Sequence, residues 1–496
     1  MTPLSVSDIR TLDDAAIASA WTPGTPRQGD EIMLIAATHL AAFVNRLAAR
    51  FPSRPAIVTV RGRGNNGKDA QLAAEQLKRQ GFTVFDVPVP NDASPIPPPP
   101  IESVPVPCIV LDGILGIGFS GSPRKMAADY IRFVNQIGSR RNTLVLSVDI
   151  PSGLDADTGA FASPNNVVRA DFTLTMGAPK KAFTDDSARA LCGSIALAPL
   201  PYPADRRTIV DASQTDCFTE TDFERLFPAR RPYDAHKGSF GFVDLIVGSS
   251  KYPGAAILAS LGALRGGAGL CSAHVPASIA PSLTASAPEL IVTPYNAPHL
   301  DENVLFHDLL PSLKPKHILA IGSGLSPLAY PAVRTLFLSS AKAALASLRG
   351  IVVDADALNA LAPINAPLPP HCVLTPHPGE AARLLETTPE EINRNRTAAL
   401  AELVKRSGCV VILKGAGTLV GAPNRQTTLI PTGNPGMAKG GSGDLLCGIV
   451  AAFLAQGLPP YEAACAGAYA HALAADFASV RHSQRSLLPT DLLAEL

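Results

Sequence analysis

Residues 432 to 444 read TGNPGMAKGGSGD, and residues 445 to 457 continue as LLCGIVAAFLAQG. The glycines Gly433, Gly436, Gly440, Gly441 and Gly443 let this backbone bend sharply and approach a ligand closely, since no Cβ intervenes. The apolar run that follows has helical character, so the free N–H groups of its first turn and the positive end of its dipole face the glycine loop. Such a loop accepts a phosphate or a developing oxyanion. Asp444 stands at the helix start, where two roles are open: a cap for its own helix, or a general base beside an anion hole. The density of glycine favours chemistry.

The chain of 496 residues exceeds what one core usually serves, so two or three domains are expected. Hydrophobic residues make up 46%, enough for large cores, and 42 basic residues balance 42 acidic ones. No basic block is interleaved with aromatics, so nothing recommends nucleic acid or an anionic membrane as a partner. The eight cysteines are scattered, without a CxxC pair or a zinc-type cluster, as a reducing compartment allows. The N-terminus MTPLSVSDIRTLDDAAIA lacks the basic start and apolar core of a signal peptide, and the apolar runs read as too short for a membrane span. A cytoplasmic soluble protein is expected.

Upstream, helical character covers Ser7 to Ala20 and Asp30 to Ala49, with a loop around the lone Trp21. Ala56 to Val60 is a β-branched run, Gly62 to Gly67 a turn rich in Gly and Asn, and Ala70 to Gln80 has helical spacing. This is a βαβ unit with a polar glycine loop where open α/β sheets bind ligands. Pro88 to Pro107 reads as an extended surface loop. Strand character returns at Cys108 to Leu111, leading into DGILGIGFSG, and at Asn142 to Ile150, ending in SVDIPSGLDADTG. Three strand ends thus carry Asn65, Asn66 and Asp69; Asp112; and Asp149 with Ser152. In a parallel sheet they lie on one edge. A lone Asp there is usually a cap or turn former; three such turns together favour a pocket.

Asp171 to Met176 adds a strand, with Lys180 after it, and prolines from Pro199 to Pro232 then mark a domain boundary between about Pro203 and Pro232. Phe218 to Phe227 reads as a short helix. Beyond it come a buried strand at Gly241 to Val247, a turn at Ser249 to Gly254 and a small-residue helix at Ala255 to Arg265. Further strands end at IGSGLS (Ile321 to Ser326), VVDADALNAL (Val352 to Leu361), VLTPHPGEAARLL (Val373 to Leu385) and VILKGAGTLV (Val411 to Val420). Strand, turn and helix repeat throughout, which gives a second mostly parallel sheet. Taken alone, His377 is a turn histidine, Lys414 a strand-end lysine, and Asp354 and Asp356 helix caps more readily than metal ligands.

The series GNNGKD, DGILGIG and VDIPSGLDADTG resembles the N-terminal epimerase domain of the bifunctional NAD(P)H-hydrate repair enzymes. The resemblance implies that Asn65, Asn66, Gly67, Asp69, Gly116, Gly118 and Asp149 contact a hydrated nicotinamide nucleotide. It also implies Asp149 as base, and Asn66, Asp112 and Ser152 as ligands of K+. Two departures stand out: the family pattern GNNGGDG has glycine where this chain has Lys68 and Ala70. The family's LMENAG helix is matched here only by IMLIAA, Ile32 to Ala37.

The order HKG, YPGA, GSGLS, DADALN, TPHPGE, LKGAGT and GNPGMAKGGSGD resembles the ADP- or ATP-dependent NAD(P)H-hydrate dehydratase of the ribokinase-like superfamily. By that resemblance Ala255, Gly324, His377 and Asp444 contact the hydrate, with Asp444 as base. Lys414, Gly415, Ala416, Gly417, Thr418 and Gly443 hold an adenine nucleotide, ADP or ATP, accompanied by Mg2+. The GSGLS turn replaces a usual GPGLG, which small Ser323 and Ser326 should tolerate. The expectation is an α/β protein of two domains: a Rossmann-like three-layer domain over residues 1–205 and a ribokinase-like three-layer domain over residues 218–496. Its partners are expected to be hydrated NADH or NADPH and adenine nucleotide, in a homo-oligomer. Because a GSGD loop also serves ribokinase-like kinases, a small-alcohol or vitamin-precursor kinase with an inactive nucleotide-binding N-terminal domain stays open.

Overall fold

The run Ala56–Arg61, AIVTVR, forms a strand whose four central residues are all buried, the pattern of a parallel strand covered on both faces. The computed structural model describes residues 1–18, 20–22, 25–26, 29–202, 215–227 and 230–496. The chain divides into two units: Met1–Glu220 with Pro431–Asn434 and Asp476–Ser483, and Thr221–Ile430 with Pro435–Ala475 and Gln484–Leu496. Part of the stretch where a boundary was expected, residues 203–214 and 228–229, lies outside the described residues.

In the first unit six strands lie in the order Val84–Pro88, Ala56–Arg61, Cys108–Gly113, Thr143–Val148, Phe172–Met176 and Ser194–Ala198. All are parallel. The chain reverses its direction of travel across the sheet between Ala56–Arg61 and Cys108–Gly113. A crevice opens at the carboxyl ends of strands at such a switch point. The helix Asn65–Arg79 starts there, directly after the first strand. Around Trp21 the expected loop is instead a small antiparallel pairing of Ala20–Thr22 with Thr25–Pro26.

One reading of the apolar segments is corrected. Glu31–Ala48 is an 18-residue helical window of mean hydropathy 1.3, long and apolar enough by composition to cross a membrane. Its apolar residues have another use: Ala37, Leu40, Val44 and Leu47 are buried. The helix that contains them packs on Asn65–Arg79 and on the strands Phe172–Met176 and Ser194–Ala198.

In the second unit the parallel strands follow the order Ile291–Tyr295, Leu270–Pro276, Phe242–Ile246, Ile318–Ile321, Gly350–Val353, Cys372–Leu374 and Val410–Leu413. Leu419–Gly421 and Thr427–Leu429 extend the sheet antiparallel. Here the switch point lies between Phe242–Ile246 and Ile318–Ile321. The apolar run after the glycine loop becomes the helix Ser442–Ala455, in which every residue from Leu445 onward is buried. It packs against Pro253–Arg265, and the small residues of both set the approach: a Cβ on Gly448 would lie 2.0 Å from the Ala259 carbonyl oxygen. Gly448→Ala should therefore destabilise the second unit by about 2 kcal/mol, an overpacking cost. Thermal unfolding checks this, and an unchanged midpoint would show that the two helices part freely.

Candidate active sites

In the second unit the strand Val410–Leu413 delivers Lys414 into a group of carboxylates. Its ammonium lies 3.2 Å from Asp354 Oδ1 and 3.8 Å from Glu380 Oε2. Asp354 ends the strand Gly350–Val353 with its side chain 1% exposed, and it also accepts from Thr375 Oγ1 at 2.6 Å and Ser323 Oγ at 3.0 Å. It gives the helix Ala355–Leu361 no side-chain cap. The capping role expected of Asp354 is thus replaced by the charge pairing. Asp356 accepts from Ser326 N at 2.8 Å and Tyr330 Oη at 3.2 Å.

Asp444 occupies the first turn of Ser442–Ala455, whose N-cap is Gly441 at φ +96° with no side-chain capping bond. Ser442 N donates to the Lys439 carbonyl at 3.4 Å, and among the described residues no side chain takes the N–H groups of Gly443 and Asp444, which are left for a ligand. A Cβ on Gly443 would lie 3.1 Å from Lys414 Nζ, so the lysine reaches the start of this helix. Burial, then the charge of Asp354, pushes the Asp444 carboxyl up to about 6 against the opposing pull of Lys414. Glu380 is pushed up to about 7 by burial, with Lys414 opposing and Asp354 adding. Burial of Lys414 favours its neutral form, but Asp354 and Glu380 outweigh that and raise it.

His377 does what its turn position suggested and more. It N-caps Pro378–Leu385, its Nδ1 accepting from Gly379 N at 3.0 Å while Glu380 Oε2 accepts from His377 N at 2.8 Å. Burial, then Lys414 and Arg383, lowers the imidazole's affinity for a proton. Ala255 and Gly324 meet at the switch point, where a Cβ on Gly324 would stand 2.6 Å from the Ala255 Cβ. The loop Lys414–Thr418 is pinned by Arg396, which donates to the carbonyls of Leu413 at 3.0 Å, Lys414 at 3.2 Å and Ala416. His471 is buried within 3.3 Å of Ser442 Oγ and is pushed down to about 4 by burial and then Lys414.

In the first unit Asn66 ties the strand ends together, donating to the carbonyls of Leu115 at 3.1 Å and Val148 at 2.6 Å. Asp112 is fully buried and accepts from Ser147 Oγ at 2.9 Å, Ser152 N at 2.9 Å and Ser152 Oγ at 2.5 Å. Asp149, at φ +67°, accepts from Met176 N at 2.8 Å and pairs with the ammonium of Lys180. Asp69 is buried beside this group, whereas Asn65 and Gly118 lie on the exposed rim. Gly116 packs against the Asn66 amide, which a Cβ would approach to 2.7 Å.

The two substitutions at the family's glycine positions have different surroundings. Lys68 is exposed and lines a shallow depression with Met33, Leu34, Gln71 and Leu72. Ala70 is buried with its methyl against Gly113, where a Cβ would come within 2.8 Å of it. Neither side chain fills the glycine cradle.

Residues 243–496 match the family model described as NAD(P)H-hydrate dehydratase, and residues 91–182 match that of the YjeF-related protein N-terminus. A bifunctional NAD(P)H-hydrate repair enzyme of Coxiella burnetii is 34% identical over an alignment covering 92% of this chain and 92% of its own. The chain belongs to the family of bifunctional NAD(P)H-hydrate repair enzymes. Members from Moorella thermoacetica, 37% identical over 78% of this chain and 71% of theirs, and Escherichia coli, 36% identical over 88% and 83%, carry the same description.

Sequence reasoning assigned no role to Glu380, Arg396, Lys180 and His471; a buried lysine whose carboxylate comes from the neighbouring strand leaves no local signal. Lys414→Met should cost about 3 kcal/mol, because it strands Asp354 and Glu380 without their cation; an unchanged melting temperature would show that these carboxylates do not depend on it. Ser326, where the repair-enzyme pattern has glycine, takes φ +77°. Ser326→Gly should stabilise the chain by about 1 kcal/mol by relieving that backbone strain, a gain that urea unfolding would detect.

Proposed function

We propose that the protein repairs hydrated NADH and NADPH, its second unit dehydrating the S epimer at the expense of ADP or ATP and its first unit interconverting the R and S epimers. The observation that carries this reading is the placing of Asp444: a half-buried carboxylate in the first turn of a helix without a side-chain cap, within the field of Lys414.

A hydrate carries a hydroxyl on an sp³ ring carbon, and hydroxide leaves poorly. Asp444 takes the hydroxyl proton as the oxygen attacks the terminal phosphorus of the nucleotide, whose bridging P–O bond breaks so that the shortened nucleotide leaves with the bonding pair. The glycine loop's N–H groups and Lys414 stabilise the negative charge being transferred. Phosphate then departs, and loss of the neighbouring ring proton restores the double bond. Ala255, Gly324 and His377 line the hydrate side, and Lys414 to Thr418 with Gly443 line the nucleotide side.

Among the described residues, no group of three His, Cys, Asp or Glu is placed to hold a metal ion. Asp354 has its oxygens committed to Lys414, Thr375 and Ser323. A protein cage for Mg2+ does not fit here, and the ion belongs with the nucleotide's phosphates. In the first unit the oxygens of Asp112 and Ser152 lie beside the carbonyls that receive the Asn66 amide, a hard donor set that suits K+. There Asn66, Asp112 and Ser152 would hold the ion, which supplies positive charge at the strand ends. Eight buried, unpaired cysteines support the cytoplasmic placement.

Incubation with ADP or ATP and purified S hydrate should restore the absorbance of the reduced nicotinamide; a stable phosphorylated alcohol would instead mark a small-alcohol kinase. Asp444→Asn should lower dehydration about 10³-fold while nucleotide still binds, and retained turnover would remove Asp444 from the role of base. A base acts only when deprotonated. Because the Asp444 carboxyl is raised to about 6, kcat/KM should fall as pH drops through about 6 rather than through the ordinary aspartate range.

A further inference from the structure

Resting on the epimerase reading of the first unit, two carboxylates at one sheet edge divide the work. Asp149 is held through one oxygen: its Oδ1 accepts from Met176 N at 2.8 Å and Thr175 Oγ1 at 3.4 Å, and pairs with Lys180. Lys180 is 0% exposed, and its ammonium also donates to the carbonyls of Met176 at 2.9 Å and Ala178 at 3.1 Å. Three acceptors thus surround its ammonium. Asp69 is also buried, at 8% exposure, yet its Oδ1 receives no hydrogen bond among the described residues. It projects from the first turns of Asn65–Arg79, the helix that opens at the switch-point crevice.

We infer that Asp69 is the proton-carrying catalytic residue of the first unit, and that Asp149, fixed by Lys180, is the standing anion that faces the cation formed during epimerisation.

Hydration of an enamine-type double bond places the hydroxyl on the carbon next to the ring nitrogen, because that carbon carries the stabilised cation. Asp69, as the acid, gives its proton to the hydroxyl oxygen. The C–O bond breaks, water leaves with the bonding pair, and the nitrogen lone pair forms C=N⁺. Water then adds to the opposite face, the π pair returns to nitrogen, and the surplus proton returns to the Asp69 carboxylate. No oxidant or reductant enters, and only the face of attachment changes. Keeping the acid protonated near neutrality is what the surroundings achieve: burial, then the charges of Asp149 and Asp13, push Asp69 up to about 7. Asp13 itself accepts from Tyr202 Oη at 2.8 Å, and Arg10 approaches the rim at Gly118. Burial thus sets most of the proton affinity of Asp69, and the neighbouring negative charges add to it.

The test uses the full chain with chirally resolved R hydrate in H₂¹⁸O. Wild-type protein should form the S epimer with one solvent oxygen gained per turnover, at a rate that falls as pH rises through about 7, where the acid form is lost. Asp69→Asn should lose at least about 100-fold in rate without melting earlier, since the amide matches the neutral acid in size and leaves no charge in the buried position. Asp69→Glu should keep part of the rate and a basic limb. In Asp149→Asn the slower reaction should keep a basic limb, shifted to lower pH because one neighbouring anion is gone. Undiminished epimerisation by Asp69→Asn, or a limb lost only in Asp149→Asn, overturns the assignment while leaving the epimerase reading intact. Absence of interconversion by the wild-type chain overturns that reading, and the assignment with it.

Discussion

In each unit a lysine ammonium is set on a strand-end carboxylate, Lys180 on Asp149 and Lys414 on Asp354, and the chemistry of both sites depends on that pairing. A carboxylate taken out of water is tolerated when paired and hydrogen-bonded, and is costly when not. The lysine satisfies one acid in each site and leaves a second under burial and the repulsion of its neighbours. That second acid is Asp69 in the first unit and Asp444 in the second, and each is raised toward neutrality, to about 7 and about 6. Buried ion pairs contribute little net stability, so these arrangements are better understood as devices that separate the proton affinities of neighbouring carboxylates.

The sheets make such proximity possible. Parallel strands present all their carboxyl ends on one edge, so residues far apart in sequence arrive together without long loops. Asn66, Asp112 and Asp149 stand at the carboxyl ends of three different strands of the first unit, and Asp354, Glu380 and Lys414 follow three of the second. Small residues then set how closely helices approach that edge. The Gly448 backbone against Ala259 lets Ser442–Ala455 lie in the core with its N-terminus at the ligand edge. A bulkier residue would move Asp444 as well as loosen the packing.

Much of this was legible in the sequence because the turns carry it. β-Branched runs ending in Asn, Asp and Gly identified the strand ends, and the order of those turns identified two α/β units. What escaped was of two kinds. Lys180, Glu380 and Arg396 act across strands, and no local period or spacing marks a partner brought in by the sheet. Environment was the other gap: Lys68 stands where the family pattern has glycine, yet it is exposed while Asp69 beside it is buried. Asp354 looked like a helix cap, yet Lys414, Thr375 and Ser323 claim both of its oxygens. The apolar helix at Glu31–Ala48 passes for a membrane segment on composition, and only its packing shows where that apolar surface goes.

The glycine loop at Thr432 to Asp444 shows the same logic within a single stretch. Its beginning is fixed: Asp476 accepts from Gly433 N at 2.7 Å and Asn434 Nδ2 at 2.8 Å. Its end is left open, with Gly441 offering no side chain to the first-turn N–H groups of the helix. Tethering one end limits the conformational entropy lost when a ligand orders the other, while the uncapped end keeps its donors for an anion. At position 441 a side chain has no place: φ is +96° and a Cβ would come within 2.4 Å of Leu258 Cδ1, so the backbone itself requires glycine and the helix starts without a capping side chain. The asymmetry of the loop is itself an argument that its open end serves a transferring phosphoryl group.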